Sequence, residues 1–294
     1  MDRAFADAQP ALGIWRYWPL RFLLYFVVLI AAYAGCQLLP IFAAPHLRFI
    51  PADILSIGFV ALGIAILIAV YRILVRWTEK RAADELGASG SIPLFAGGTI
   101  IGIALFCAVC TVLWFYGAVS FRGINTSTSV ISAACGALLA GVGEEIAFRG
   151  GVYRLLEEGF GTLVAIILSG AMFGVIHAGN RGATTASSIA IALEAGVLLA
   201  AAYTATRSLW LPIGLHFGWN FTEGGIFGAA VSGGKSSGLI ATTFSGPDKL
   251  TGGIFGPEAS VPAVAVCLTA ALALLVLTVR RGQWQPVRLR LHTE

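Results

Sequence analysis

Apolar residues run along this chain in stretches of about 20, the length a helix needs to cross a ~30 Å hydrocarbon core. Eight such stretches recur, at 20–43, 52–75, 95–120, 129–157, 161–179, 187–206, 209–229 and 261–279. The pattern predicts an all-α fold: a polytopic membrane helix bundle of about eight transmembrane helices. A cytoplasmic segment 1–19 precedes a single transmembrane domain, 20–280, and a cytoplasmic tail, 281–294, follows it. The first run follows Arg16 and Arg21 and ends in Ala32-Tyr33-Ala34-Gly35-Cys36, which resembles a signal-peptidase site. It is too long for the apolar region of a signal peptide, so an uncleaved helix is expected.

The polar positions between the runs set a direction. With the N-terminus on the cytoplasmic side, 14 of the 19 Lys and Arg residues, from Arg3 to Arg290, fall on the inner side. Positive residues concentrate on cytoplasmic loops, so both termini are expected inside. The longest segment between runs, about 230–260, is rich in Gly and Ser and repeats Gly-Gly-Ile-Phe-Gly at 224–228 and 252–256. A flexible outer loop is the plain expectation for it, and a lid or shallow re-entrant element the sharper one. The tail, with Trp284, Arg288 and Arg290, reads as an interfacial anchor.

Composition agrees with the pattern. Of 294 residues 57% are hydrophobic and only 12% charged, about half the charge of a soluble domain. The net charge of +4 is accounted for by loop asymmetry, and the basic residues do not cluster as a nucleic-acid partner would require. Five cysteines, each inside an apolar run, read as packing residues rather than a disulfide framework.

Against this background, ionisable side chains inside the runs are the candidates for chemistry, because each costs roughly 2.5–3.5 kcal/mol at bilayer depth. The fourth run carries Glu144, Glu145 and Arg149. Glu145 and Arg149, four apart, share a helix face and can pair, whereas Glu144 points about 100° away. The pair is assigned to structure and electrostatics, and Glu144 to the chemistry. The fifth run places Phe173 and His177 one turn apart, and the seventh does the same with His216 and Asn220. A short turn near Glu158–Gly161 makes the fourth and fifth helices antiparallel neighbours and brings Glu144 and His177 to one depth within ~3 Å. His216, by the same count, lies roughly 10 Å shallower. Glu194 in the sixth run reads as a packing or cavity-facing group.

One free carboxylate, two histidines and an amide suit hydrolysis by an activated water. Glu144 acts as base with His177 as its partner, and His216 with Asn220 as donors to a developing oxyanion. A zinc version is chemically sound too, with Glu144, His177 and His216 as ligands and an open fourth position, although no His-Glu-x-x-His pair occurs.

Glu144-Glu145-x-x-x-Arg149, Phe173-x-x-x-His177 and His216-x-x-x-Asn220 resemble, in this order, the three motifs of the CAAX protease and bacteriocin-processing family (CPBP, Abi) of intramembrane endopeptidases. That family includes the type II CAAX prenyl endopeptidase. The resemblance implies an intramembrane cavity with its catalytic core at about 129–229, and hydrolysis of a peptide bond in a membrane-associated protein or peptide. It implies Glu144 as base, His177 as its partner, and His216 and Asn220 as oxyanion donors or ligands. It also implies a metalloprotease in the family's own description, and a location in the cell membrane of a prokaryote. Two other readings stay open: a non-proteolytic immunity protein on the same fold, and an ion-coupled transporter.

Overall fold

The structure, a computed structural model, describes residues 13–289. Each of the eight apolar runs forms helix. The first three are α1 (Trp18–Ala43), α2 (Ala52–Glu79) and α3 (Ser91–Phe115). The fourth is α4 (Val130–Glu145) continuing through a π-helical segment, Ile146–Tyr153, into α5 (Arg154–Phe160), and the fifth is α6 (Thr162–His177). The sixth joins α7 (Thr185–Ile191) to α8 (Val197–Thr206) through a π turn at Ala192–Gly196. The seventh is α9 (Trp210–Asn220) with a π turn at Phe221–Ile226. After a short α10 (Asp248–Thr251) the chain closes with α11 (Val261–Arg280).

Among the described residues, six helices are long and apolar enough to cross a membrane, and α6 is a shorter apolar one. Large apolar side chains such as Leu23, Val27, Ile57, Ile73, Ile100 and Leu272 stand exposed on the outer faces. A surface of that kind is stable only against lipid, and the chain is an integral membrane protein. The helix α9 differs from the others. Leu211 to His216, Gly218 and Trp219 are all buried, so its apolar character all round reflects a path through the inside of the bundle.

Glycines allow α9 that path. A Cβ on Gly214 would stand 2.1 Å from Phe95 O, and one on Gly102 would stand 2.2 Å from Leu215 O. The backbones of α3 and α9 therefore touch, in the small-residue manner of membrane helix pairs.

At the other ends, caps and turns fix where helices start and stop. Ser129 Oγ accepts from Ser132 N at 3.0 Å to begin α4, and Ser260 caps α11. Lys80 and Arg207 end α2 and α8 in the left-handed conformation, with φ of 55° and 54°. The third run was expected to stay helical to residue 120. It instead ends at Phe115 and turns at Gly117 into β1 (Val119–Ile124), which pairs antiparallel with β2 (Ile240–Phe244), Val119 opposite Phe244. The segment 230–260 is thus folded: β2 holds its middle, and Ser232 N donates to Glu258 Oε1 at 2.6 Å. The tail is held as well, since Thr162 N donates to Gln285 O at 3.1 Å and Arg288 N to Phe160 O at 3.3 Å.

The loop cations converge on one end of the bundle. There Glu79 binds Arg154 and Arg81, Glu85 binds Arg81, Glu157 binds Arg207 and Glu158 binds Arg21. Burial pushes the Glu85 carboxyl up, but Arg81 hydrogen bonds and the Arg154 and Arg81 charges hold it below the usual carboxylate range. Arg3 and Arg290, two of the cations counted as inner, lie outside the described residues.

Candidate active site

Three π-helical segments frame the site, at Ile146–Tyr153, Ala192–Gly196 and Phe221–Ile226. A π turn inserts an extra residue, loosens the regular ladder and frees carbonyls for other donors. Gly150 O accepts from Tyr71 Oη at 3.1 Å and from Arg154 Nε at 3.0 Å. Ala195 O and Gly196 O accept from Arg149 Nη2 at 2.9 and 3.2 Å.

Glu144 and Glu145 diverge as the helix geometry requires. Glu144 Oε1 accepts from Tyr33 Oη at 3.1 Å, and Tyr33 is itself held by Gln37 at 3.1 Å. Glu144 Oε2 faces His177 Nε2 at 3.8 Å. That gap is too long for a direct hydrogen bond and suits one bridging water. His177 Nδ1 lies 2.7 Å from Phe173 O. A carbonyl only accepts, so Nδ1 carries a proton and donates it to Phe173 O, while Nε2 faces Glu144.

Glu145 is fully buried and has two partners for one oxygen. Its Oε1 accepts from Arg149 Nη1 at 2.9 Å and from His216 Nδ1 at 2.9 Å. The Arg149 guanidinium lies 4.7 Å from the centroid of the Phe173 ring, a cation–π contact that helps hold the charge away from water. The three motifs are therefore one connected cluster, with Arg149 touching the second and Glu145 the third.

A cavity of about 40 Å³ lies at the meeting point, lined by Glu144, His177, His216, Asn220, Glu194, Ser232 and Glu258 and by apolar side chains that include Phe173 and Trp219. It has room for ordered water. Burial pushes the Glu258 carboxyl above its ordinary range, against the hydrogen bonds it accepts from Ser232. Glu194, 3% exposed, faces this cavity.

The expected depth offset of His216 does not occur, since His216 bonds Glu145 directly. The turn before α9 is drawn into the protein: Leu209 N donates to Glu85 O at 2.8 Å and Trp210 Nε1 to Gly87 O at 3.0 Å. Residues 83–87 roof that turn, so α9 starts deeper than a turn at the membrane surface would.

Zinc can be tested against the donors. Both histidines have Nδ1 committed to an acceptor and Nε2 free, the arrangement of a ligating imidazole. Among the described residues, however, no three His, Cys, Asp or Glu side chains converge as a metal site requires. Glu144, His177 and His216 share the cavity without forming that geometry.

Two contributors escaped the sequence reading. Tyr33 stands in the first run, outside every motif; its i,i+4 pairing with Gln37 in an otherwise apolar stretch was the available signal. Glu258 follows the second Gly-Gly-Ile-Phe-Gly, in a segment whose chain path the sequence left open.

Residues 126–222, about a third of the chain, match the family described as Type II CAAX prenyl endopeptidase Rce1-like. All three motifs lie inside that region, and the resemblance read from them is borne out there. A comparison with curated proteins finds no match. Over that region the chain is similar to a family of CAAX-type membrane endopeptidases.

Proposed function

We propose that the chain hydrolyses a peptide bond within the membrane by a water activated between Glu144 and His177. The observation that supports this reading most is the 3.8 Å separation of Glu144 Oε2 and His177 Nε2 at the wall of the cavity. A water there donates one hydrogen to each acceptor, which turns an oxygen lone pair toward the cavity. Glu144 takes a proton as the oxygen attacks the scissile carbonyl, and the C–O bond forms while the carbonyl electron pair moves to its oxygen. Glu144 then returns the proton to the departing amine as the C–N bond breaks. Tyr33 keeps Glu144 Oε1 engaged, so Oε2 is the oxygen that works.

The tetrahedral oxygen falls to Asn220 and His216. With Nδ1–H committed to Glu145, His216 can donate from Nε2 only as imidazolium, and the Glu145 carboxylate beside it compensates that charge. Glu145 is thus a positioning residue for His216 as well as the partner of Arg149. Arg149 in turn supplies the counter-charge beside Glu145.

The test is cleavage of a membrane-anchored peptide by purified protein in proteoliposomes. His177→Ala is expected to lose at least about a hundredfold in rate, the usual scale of a positioned acid–base partner, with insertion unchanged. Undiminished cleavage by that variant would refute the assignment.

A further inference from the structure

At the end of the bundle where acids and bases pair, one group of cations is left over. Arg72, Arg76 and Lys80 are spaced four apart at the end of α2, so they climb one face of the helix over about 12 Å. All three are exposed, and none has a hydrogen bond or ion pair among the described residues. Their neighbour Arg81 is spent on Glu79 and Glu85. The carboxylates Glu79, Glu85, Glu157 and Glu158 are all engaged elsewhere.

Arg76 and Lys80 line a groove of about 630 Å³ together with Ile73, Trp77, Arg81 and Ala82. Among the described residues no acidic side chain lines it, and Asp84, the next acid along the chain, is outside it. One wall is apolar and faces outward: Ile73 is 64% and Trp77 51% exposed. Trp15 backs that wall, its ring centroid 4.9 Å from that of Trp77. Tryptophan pairs of this kind mark the depth of lipid headgroups. Arginine and lysine at the end of a span reach toward the same depth with their charged heads, while their stems stay in apolar surroundings. The groove therefore offers two unneutralised cations at headgroup level and an apolar strip running down from them.

We propose that this groove binds an anionic phospholipid, with its phosphate between Arg76 and Lys80 and an acyl chain along Ile73 and Trp77. Charge complementarity selects the occupant: a headgroup with net negative charge satisfies both cations, whereas a zwitterion carries its own ammonium beside the phosphate. Free phosphate would satisfy the cations but leave the Ile73–Trp77 strip uncovered. The bound lipid would brace α2, which packs along α4, the helix that carries Glu144.

The experiment uses the full chain in detergent, titrated with phosphatidylglycerol or phosphatidylcholine and followed by native mass spectrometry and thermal unfolding. Phosphatidylglycerol is expected to be retained in preference to phosphatidylcholine and to raise the unfolding midpoint. Arg76→Gln with Lys80→Gln should weaken its retention about 30-fold, at roughly a factor of five for each interfacial cation. A control with Lys235→Gln and Lys249→Gln, both exposed on the 230–260 segment, should retain it like wild type. Equal retention of the two lipids, or full retention by the Arg76→Gln/Lys80→Gln protein, would overturn the proposal. So would an equal rise in midpoint with inorganic phosphate alone. Peptide cleavage is not the readout, so the lipid site and the catalytic reading stand or fall separately.

Discussion

Glu145 Oε1 and His216 Nδ1 lie 2.9 Å apart in the buried interior, joining the first motif to the third across 71 residues of chain. The same oxygen takes Arg149, so one carboxylate holds a structural cation and a candidate catalytic imidazole together. Spacing along one helix showed only the Arg149 half of this arrangement.

The double role can be separated by measurement. Glu145→Gln leaves the Arg149 charge buried without its counter-ion, which costs about 3–5 kcal/mol in comparable pairs. Thermal unfolding should therefore show a large loss of stability. Adding Arg149→Met should restore most of that stability by removing the stranded charge, while peptide cleavage stays low because a neutral amide at 145 no longer compensates a His216 imidazolium. Recovery of both together would mean that Glu145 acts through Arg149 alone.

Tyr33→Phe removes the hydroxyl that engages Glu144 Oε1 and leaves the ring in place. A hydrogen bond to a charged group contributes about 1.5–3 kcal/mol, so the cleavage rate should fall by roughly tenfold or more. Insertion and yield should match wild type, and an unchanged rate would remove Tyr33 from the site.

Much of this molecule was legible before any coordinates. The eight apolar runs are helices, and the divergence of Glu144 from Glu145 follows from 100° per residue. The site's other parts were hidden for physical reasons. A π turn arises from tertiary demand on carbonyls, here Arg149 on Ala195 O and Gly196 O, and leaves no period in the sequence. The depth of His216 depends on Leu209 N meeting Glu85 O, a contact between segments more than 100 residues apart. The sheet escaped because the start of β1, Val119 and Ser120, falls within the apolar run, and its β2 partner lies over a hundred residues away.

The contact of α3 with α9 makes a steric prediction. Gly214→Ala places a methyl against Phe95 O at 2.1 Å, whereas Gly97 has nothing within 4 Å of its Cβ position. Overpacking typically costs about 1–3 kcal/mol, so Gly214→Ala should lower the unfolding midpoint clearly and Gly97→Ala should not. Equal midpoints would argue against the close backbone approach.

Acid should loosen the end of the bundle at Glu85. Its folded carboxyl is held below the ordinary range, so its stabilising contribution is complete above the unfolded value of about 4.3 and is lost as pH falls through the lower folded one. Unfolding midpoints measured from pH 7 down to about 3 should fall less steeply in Glu85→Gln than in wild type. Parallel curves would assign the acid sensitivity to other carboxylates.

Metal content is open to direct measurement. Since the donors do not converge, cleavage is expected to survive exhaustive chelation. Stoichiometric zinc in wild type, lost in both His177→Ala and His216→Ala, would overturn that expectation.

The central claim is that Glu144 takes the proton from the attacking water, and one comparison tests it most directly. Wild-type protein and Glu144→Gln, purified and reconstituted at equal density, are assayed on the same membrane-anchored peptide. The account predicts cleavage by wild type and none detectable by Glu144→Gln, whose amide keeps the shape and the Tyr33 contact but cannot accept the proton. Cleavage by Glu144→Gln at the wild-type rate would contradict it.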